Sequence, residues 1–328
     1  MNTKSMPLLE RLAGPLKLGL GGAPLGNLYE PLSDAEAERT LEEAWRLGLR
    51  YFDTAPLYGH GLSELRLGRM LRSRPRADFV LSTKVGRLLR PDPAAPPERD
   101  GYVHGLPLAP HFDYSFDGAL RSIEDSLERL GLSRIDIALI HDIDRHTHGP
   151  DGQPARFREA MEGAYRALDR LRGEGVLGAI GIGVNEWEVC RDALAAGDFD
   201  CMMLAGRYTL LDDSAARELV PLCVARGVKL ILAGVFNSGI LASGATPGAH
   251  FHYRPAPEAV RSRVARLAST CAAFGVALPA AALQFALACP AAAAVVVGAR
   301  SAEELAQSVA HAQAPVPAAL WEALAREG

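Results

Sequence analysis

Lysine is nearly missing from this chain. Of 35 Lys and Arg residues, only Lys4, Lys17, Lys84 and Lys229 are lysines, so a lysine at a chemically suggestive position stands out. Cysteine is sparse: the five, Cys190, Cys201, Cys223, Cys271 and Cys289, are scattered without a CxxC pair. That excludes a disulfide framework and a zinc-finger-like site, and fits a reducing compartment. There is no basic excess; the net charge of −4 argues against a nucleic-acid partner or an anionic membrane surface. The N-terminal MNTKSMPLLERLAGPLK lacks the continuous apolar core of a signal peptide. One nearly uncharged stretch, Val276–Gly298, approaches the length of a bilayer span. Pro279, Gln284 and Pro290 interrupt it, so it reads better as a helix from Pro279 and a strand over Ala294–Val297. A cytoplasmic protein is expected. The glycine fingerprint of open dinucleotide-binding sheets is also lacking: Pro24 follows Gly19-Leu20-Gly21 where a third glycine is required, and Glu186 follows Gly181-Ile182-Gly183.

What is present is a regular alternation. Short apolar runs occur at Lys17–Gly22, Arg50–Asp53, Phe79–Lys84, Ile135–His141, Ala179–Val184, Cys201–Ala205, Val228–Leu232 and Val295–Val297. Helical segments separate them: from Ser33-Asp34 to about Leu47, Ser63–Leu71, Phe116–Leu130, Ala155–Arg172, from Glu186, near Ser214–Ala225, Glu258–Phe274 and Ala302–His311. Eight such units without a linker, in 328 residues, predict a single (β/α)8 TIM barrel over 1–328. Two connections are long. Gly86–Tyr114, after the third strand, is proline-rich and reads as a lid, a binding loop or disorder, and Ala233–Pro257 follows the seventh.

In such a barrel the chemistry sits at the strand C-termini. YFDTAPLYG at Tyr51–Gly59 delivers Asp53 to a strand end; Pro56 then breaks the chain into a turn that presents Tyr58. Lys84 and His141 close the third and fourth strands, and Asn185 lies just beyond the fifth. Each alone has an ordinary explanation: a turn cap, a solvated lysine, a satisfied core histidine. Together, at four strand ends, they form a constellation that packing does not predict.

These residues lie in motifs that resemble the aldo-keto reductase superfamily. DTAxxYG at Asp53–Gly59, SExxLG at Ser63–Gly68, STK at Ser82–Lys84, LIHD at Leu139–Asp142, GIGVNEW at Gly181–Trp187 and VVGARS at Val296–Ser301 stand in its order. GGAPLGNLY, AGRYTLLD and GVFNSGIL look most like its bacterial aldose 1-dehydrogenase branch, which includes L-fucose and D-threo-aldose dehydrogenases and pyridoxal 4-dehydrogenase relatives. The resemblance implies an NAD(P)-dependent oxidoreductase with a catalytic tetrad of Asp53, Tyr58, Lys84 and His141. Tyr58 would move the proton of the reacting oxygen and Lys84 would lower its pKa. Asp53 would hold Lys84, and His141 would bond the same oxygen.

For the cofactor, the resemblance implies contacts from Gly22, Ala23 and Asp53, with Asn185 on the carboxamide and Tyr208 stacked on the nicotinamide. Phe236, Ser238 and Gly239 would cover the pyrophosphate, and Gly298 and Arg300 would meet the adenosine end, with Arg300 favouring NADP over NAD. Ala205 stands where many relatives carry a glutamine, which leaves more of the carboxamide to Asn185. Ser308 replaces an asparagine common near the adenine.

A small sugar or aldehyde would meet Tyr29, Tyr58, His141 and Asp142, with Asp142 lining the pocket through hydrogen bonds. The expected reaction is oxidation of an aldose at C1. Pyridoxal oxidation or general carbonyl reduction is the alternative, and a nicotinamide-binding regulatory subunit is a different class. HDIDRHTH at His141–His148 could suggest a metal, but His146 and His148 lie beyond the strand and no other strand end offers histidine ligands. No metal is expected, and the oligomeric state is not legible.

Overall fold

The structure is a computed structural model that describes residues 6–327. Eight parallel strands close into a barrel: β1 (Leu18–Gly21), β2 (Tyr51–Asp53), β3 (Val80–Val85), β4 (Ile137–His141), β5 (Ala179–Val184), β6 (Cys201–Ala205), β7 (Lys229–Ala233) and β8 (Ala292–Gly298). Each strand pairs with its sequence neighbours, and β8 returns to β1 in the register Leu18↔Val295 through Gly21↔Gly298. Closure leaves no sheet edge, and helices cover the outside, so nearly every strand residue is buried.

The interior is filled rather than open. Tyr51, Val80, Ile137, Leu139, Met203, Ile231 and Val296 form one apolar cluster inside the strands. Gly19 makes room for Tyr51: a Cβ there would come within 2.4 Å of the ring. The same cluster contains Leu9 and Leu12 of an N-terminal helix, Met6–Ala13, ahead of the first expected strand and not among the expected helices. Its signal was the spacing of Leu9 and Leu12 on one helical face.

Several boundaries moved for local reasons. The helix expected over Ala155–Arg172 is two helices, Arg145–Glu162 and Ala164–Gly173, broken at Gly163. A Cβ on Gly163 would lie 2.4 Å from the Tyr114 carbonyl, and Ala164 N–H donates to that carbonyl at 2.8 Å. The segment expected near Ser214–Ala225 is a 3-10 turn, Ser214–Ala216, followed by the helix Leu219–Arg226 with left-handed Gly227 at its end. The apolar stretch before β8 resolves into the helix Leu278–Leu287 and the strand. Among the described residues, no single helix is long and apolar enough to cross a membrane.

The excursion after β3 is folded. Arg87–Pro91 pairs antiparallel with Leu108–Phe112, and a smaller hairpin, Glu98–Arg99 with Tyr102–Val103, folds back toward the barrel mouth. His60 and Asp100 anchor it, with Nε2 3.0 Å from the carboxylate. The connection after β7 holds the short helix Ile240–Ser243 and a hairpin, His250–Phe251 with Arg254–Pro255.

Candidate active site

Three neighbouring strands bring charged or titratable groups to one end of the barrel. Asp53 ends β2, Lys84 lies one residue before the end of β3, and His141 ends β4. Tyr58 opens a 3-10 turn, Tyr58–Gly61, in which Gly59, His60 and Gly61 all have positive φ. The turn is held backbone against backbone: a Cβ on Gly59 would sit 2.4 Å from the Gly26 carbonyl oxygen. Glycine at both positions therefore fixes where Tyr58 stands relative to the loop after β1.

Lys84 Nζ donates to Asp53 Oδ2 at 2.7 Å and to the Thr54 carbonyl at 2.9 Å. Asp53 Oδ1 accepts from Ser82 Oγ at 2.7 Å. Both charged residues are only 2% exposed, so this is a buried ion pair with its hydrogen bonds filled. The Lys84 ammonium lies 4.6 Å from the Tyr58 ring centroid. The His141 ring stands edge-on to Tyr58 at 6.0 Å, and Tyr102 packs beside it at 6.1 Å.

Burial sets the protonation states. Desolvation, with the Lys84 and Arg87 cations adding to it, pushes His141 well below the ordinary histidine value. The imidazole is thus neutral across the physiological range. Burial also pushes the Tyr58 phenol well above its ordinary value, reinforced by the Asp53 and Asp142 carboxylates. This corrects the expectation that Lys84 lowers it. The lysine's charge is already matched by Asp53, and the ammonium lies over the ring face rather than donating to the hydroxyl. Tyr58 therefore holds its proton at neutral pH.

That ordering gives a sign for the pH dependence. With Tyr58 in the role the resemblance implies, alcohol oxidation would need the tyrosinate, whose fraction rises about tenfold per pH unit below its pKa. The kcat/KM for oxidation is expected to climb through the alkaline range, while carbonyl reduction stays flat and then falls. His141, already neutral, adds no step across the physiological range. Paired pH profiles check this; an oxidation rate independent of pH would remove Tyr58 as the base.

The remaining motif residues hold the frame. Ser63 Oγ donates to the Gly22 carbonyl at 2.7 Å. Buried Glu64 accepts from Thr83 at 2.8 Å and from Arg129 at 2.5 Å, tying β3 to the helix Phe116–Leu130. Tyr114, which ends the long loop after β3, is fully buried; its hydroxyl donates to the His141 carbonyl at 2.8 Å and so positions the end of β4. The acidic and histidine side chains of the fourth loop are spread among separate partners. Asp144 caps the following helix through Thr147 N–H and accepts from Asn185 N–H at 2.7 Å; His148 meets the Tyr114 hydroxyl at 3.1 Å. Among the described residues, no group of three His, Cys, Asp or Glu is arranged to hold a metal.

The residues expected around a dinucleotide fall into two groups beside the tetrad. Gly22 N–H donates to the Asp53 carbonyl at 2.7 Å, and Ala23 opens the turn Pro24–Gly26. Asn185 Oδ1 accepts from Tyr253 at 3.3 Å. Across the mouth, Phe236 lies between two apolar clusters, Ser238 accepts from Tyr253 N–H at 2.9 Å, and left-handed Gly239 opens the helix Ile240–Ser243. Tyr29 stacks on His250 at 5.8 Å, which joins the loops after β1 and β7. Gly298 ends β8, and Arg300 is shared between Glu30 at 2.6 Å and Glu304 at 3.1 Å. Asn237 beside this surface keeps a buried Oδ1 without a protein partner.

Tyr208 is not brought to this site. Its ring stacks on Phe285 at 5.1 Å, and burial against the outer helices pushes its hydroxyl up to about 12, with Cys289 its side-chain partner. It follows the end of β6 at Ala205, past the left-handed Gly206. Conversely, sequence reasoning missed Arg87, Tyr102 and Tyr253. Arg87 donates to Asp142 Oδ2 at 2.5 Å beside the tetrad. In an arginine-rich chain a single arginine carried no signal, and the two tyrosines come from hairpin tips far away in sequence.

The closed parallel barrel, the tetrad geometry and the sequence relationships agree. Residues 17–326 match the aldo/keto reductase family, and the chain belongs to it. It is 45% identical over 320 residues to pyridoxal 4-dehydrogenase of Microbacterium luteolum, covering 95% of this chain and 93% of that one. It is 43% identical over 314 residues to D-threo-aldose 1-dehydrogenase of a Pseudomonas species, covering 94% and 92%. A holo aldo-keto reductase from Bacillus halodurans superposes with a TM-score of 0.73 at 25% identity, covering 95% and 92%. The protein is an oxidoreductase of a family that uses NAD(P).

Proposed function

We propose that the chain oxidises an aldose at C1 to the lactone, with Tyr58 as general base. The observation that carries this reading is the buried Asp53–Lys84 pair beneath the Tyr58 ring, with neutral His141 edge-on beside it. The residues flanking the mouth fit a nicotinamide dinucleotide. Asn185 offers an amide, Ser238 and Gly239 expose a left-handed turn, and Asn237 Oδ1 awaits a donor. Gly22 and Ala23 would border the nicotinamide, Phe236, Ser238 and Gly239 the pyrophosphate, and Gly298 and Arg300 the adenosine end. When bound, the cofactor supplies the hydride acceptor.

The chain's own contribution is proton transfer and orientation. Tyr58 takes the proton from the C1 hydroxyl, or gives it to a carbonyl oxygen in the reverse direction. Neutral His141 donates a hydrogen bond to that oxygen without adding a charge that would compete with Lys84. Asp53 keeps Lys84 charged and in place. Arg300 supports NADP, because an exposed pair with Glu30 is worth only about 0–1 kcal/mol and exchanges readily for a phosphate.

The pyridoxal reading is kept because the 45% identical relative carries that name. One assay separates the two: nicotinamide reduction by the purified protein with L-fucose, L-galactose, D-arabinose and pyridoxal, with NAD and NADP in parallel. Turnover on a sugar is expected. Turnover on pyridoxal alone would transfer the same tetrad to pyridoxal oxidation.

A further inference from the structure

Next to the tetrad lies a second charged pair that the proton-transfer chemistry does not use. Arg87, the first residue of the hairpin after β3, reaches Asp142, the first residue beyond β4, at 2.5 Å. Their side chains are 11% and 12% exposed. Removing two charges from water costs several kcal/mol per ion in a typical protein, and an apolar pair of the same volume often serves stability as well or better. Packing alone therefore does not account for the pair.

Its placement does. Asp142 Oδ2 is 3.5 Å from Nε2 of His141, the residue that bonds the reacting oxygen in the proposed mechanism. Arg87 and Asp142 both act electrostatically on Tyr58, so both lie within its field. Asp142 is held in a left-handed backbone conformation, φ 52°, by its N–H to the Gly183 carbonyl at 2.9 Å and by Tyr114 on its own carbonyl at 3.1 Å. Aspartate tolerates this region better than most residues, and the two hydrogen bonds hold it there. The Arg87 guanidinium packs over Phe112 at 4.6 Å, and its Nε is buried without a partner. A held acceptor and a held donor thus stand directly beside His141.

We propose that Arg87 and Asp142 are specificity-determining residues that read a hydroxyl on the carbon adjacent to the reacting carbon. Neighbouring oxygens of a vicinal diol are separated by about a hydrogen-bond length. With one oxygen between Tyr58 and His141, the next reaches the Asp142 carboxylate as donor and the Arg87 guanidinium as acceptor. The matched charges leave the pocket neutral in sum, which suits a polyhydroxyl substrate rather than an anionic aldehyde. The substrate class is then an α-hydroxy carbonyl compound or its cyclic hemiacetal. This deepens the aldose reading and rests on its placement of the reacting oxygen, but not on the substrate being a sugar.

The test compares substrates that differ only in that hydroxyl. D-arabinose and 2-deoxy-D-ribose serve for oxidation; 2-hydroxypropanal and propanal serve for reduction and need no sugar recognition. A site built to bond a hydroxyl discriminates strongly against an analogue lacking it, so the wild-type kcat/KM ratio is expected to exceed about 10²-fold in both pairs. Asp142→Asn, close in size, and the double variant Arg87→Met with Asp142→Leu, which leaves no charge unpaired, are each expected to lower that ratio by about tenfold or more. If both variants keep the wild-type ratio while both substrates slow equally, the pair is a structural latch and the proposal falls. A wild-type ratio near one in the aldehyde pair also overturns it. No turnover of any sugar, with the aldehyde ratio intact and sensitive to the variants, would sink the aldose reading and leave this proposal standing.

Discussion

Tyr58→Phe is expected to lower kcat by about 10²–10⁴-fold while the affinity for the nicotinamide cofactor is retained. The change deletes one oxygen atom. The ring keeps its contacts with the Lys84 ammonium at 4.6 Å, Tyr102 at 6.1 Å and His141 at 6.0 Å, so the turn has no reason to move. What disappears is the Tyr58 hydroxyl, on a ring flanked by the Asp53–Lys84 ion pair and a neutral imidazole. Turnover and cofactor titration on the same preparation check it. Wild-type turnover in the variant would place the proton transfer elsewhere, and His141 could not take it over readily, because burial keeps that ring from holding a second proton.

The Asp53–Lys84 pair has the largest expected effect on stability. Asp53→Leu leaves an ammonium buried without its counter-ion, and Lys84→Met leaves a buried carboxylate. Each is expected to cost about 3–5 kcal/mol. Asp53 retains Ser82 as a hydrogen-bond donor and Lys84 retains the Thr54 carbonyl, so either variant stays at the lower part of that range. The double variant removes both charges and is expected to recover most of the stability. It should recover no activity, because the ammonium beneath the Tyr58 ring is gone. Chemical denaturation midpoints and turnover, measured for both singles and the double, separate the two roles. Single variants as stable as wild type would mean that water reaches the pair; an active double variant would mean that the lysine does no chemistry.

The depth at which these residues were legible differs by type. Asp53, Lys84 and His141 are at or next to strand ends, and strand ends follow from the alternation of short apolar runs and helices. Tyr58 was legible through Pro56 and the glycines that follow, since few residues can occupy such a turn. Tyr208 was misread because strand order says which loop a residue joins but not which way its side chain turns. The helix Met6–Ala13 was missed because a single turn or two of amphipathic pattern has little periodicity to count, yet it seals one end of the barrel with Leu9 and Leu12.

By itself, the sequence determined the eight-fold alternation, the strand-end positions of Asp53, Lys84 and His141 with Tyr58 in the turn after β2, and the family. These are encoded locally, in periodicity, in proline and glycine positions and in motif spacing. The tertiary structure alone decided the protonation states, since burial raises the Tyr58 phenol and lowers His141 only once the barrel excludes water. It alone joined Arg87 to Asp142 across 55 positions of chain, and brought Tyr253 to Asn185 across 68. Ion pairing and desolvation depend on which groups meet in space, and no local pattern along a chain carries that information.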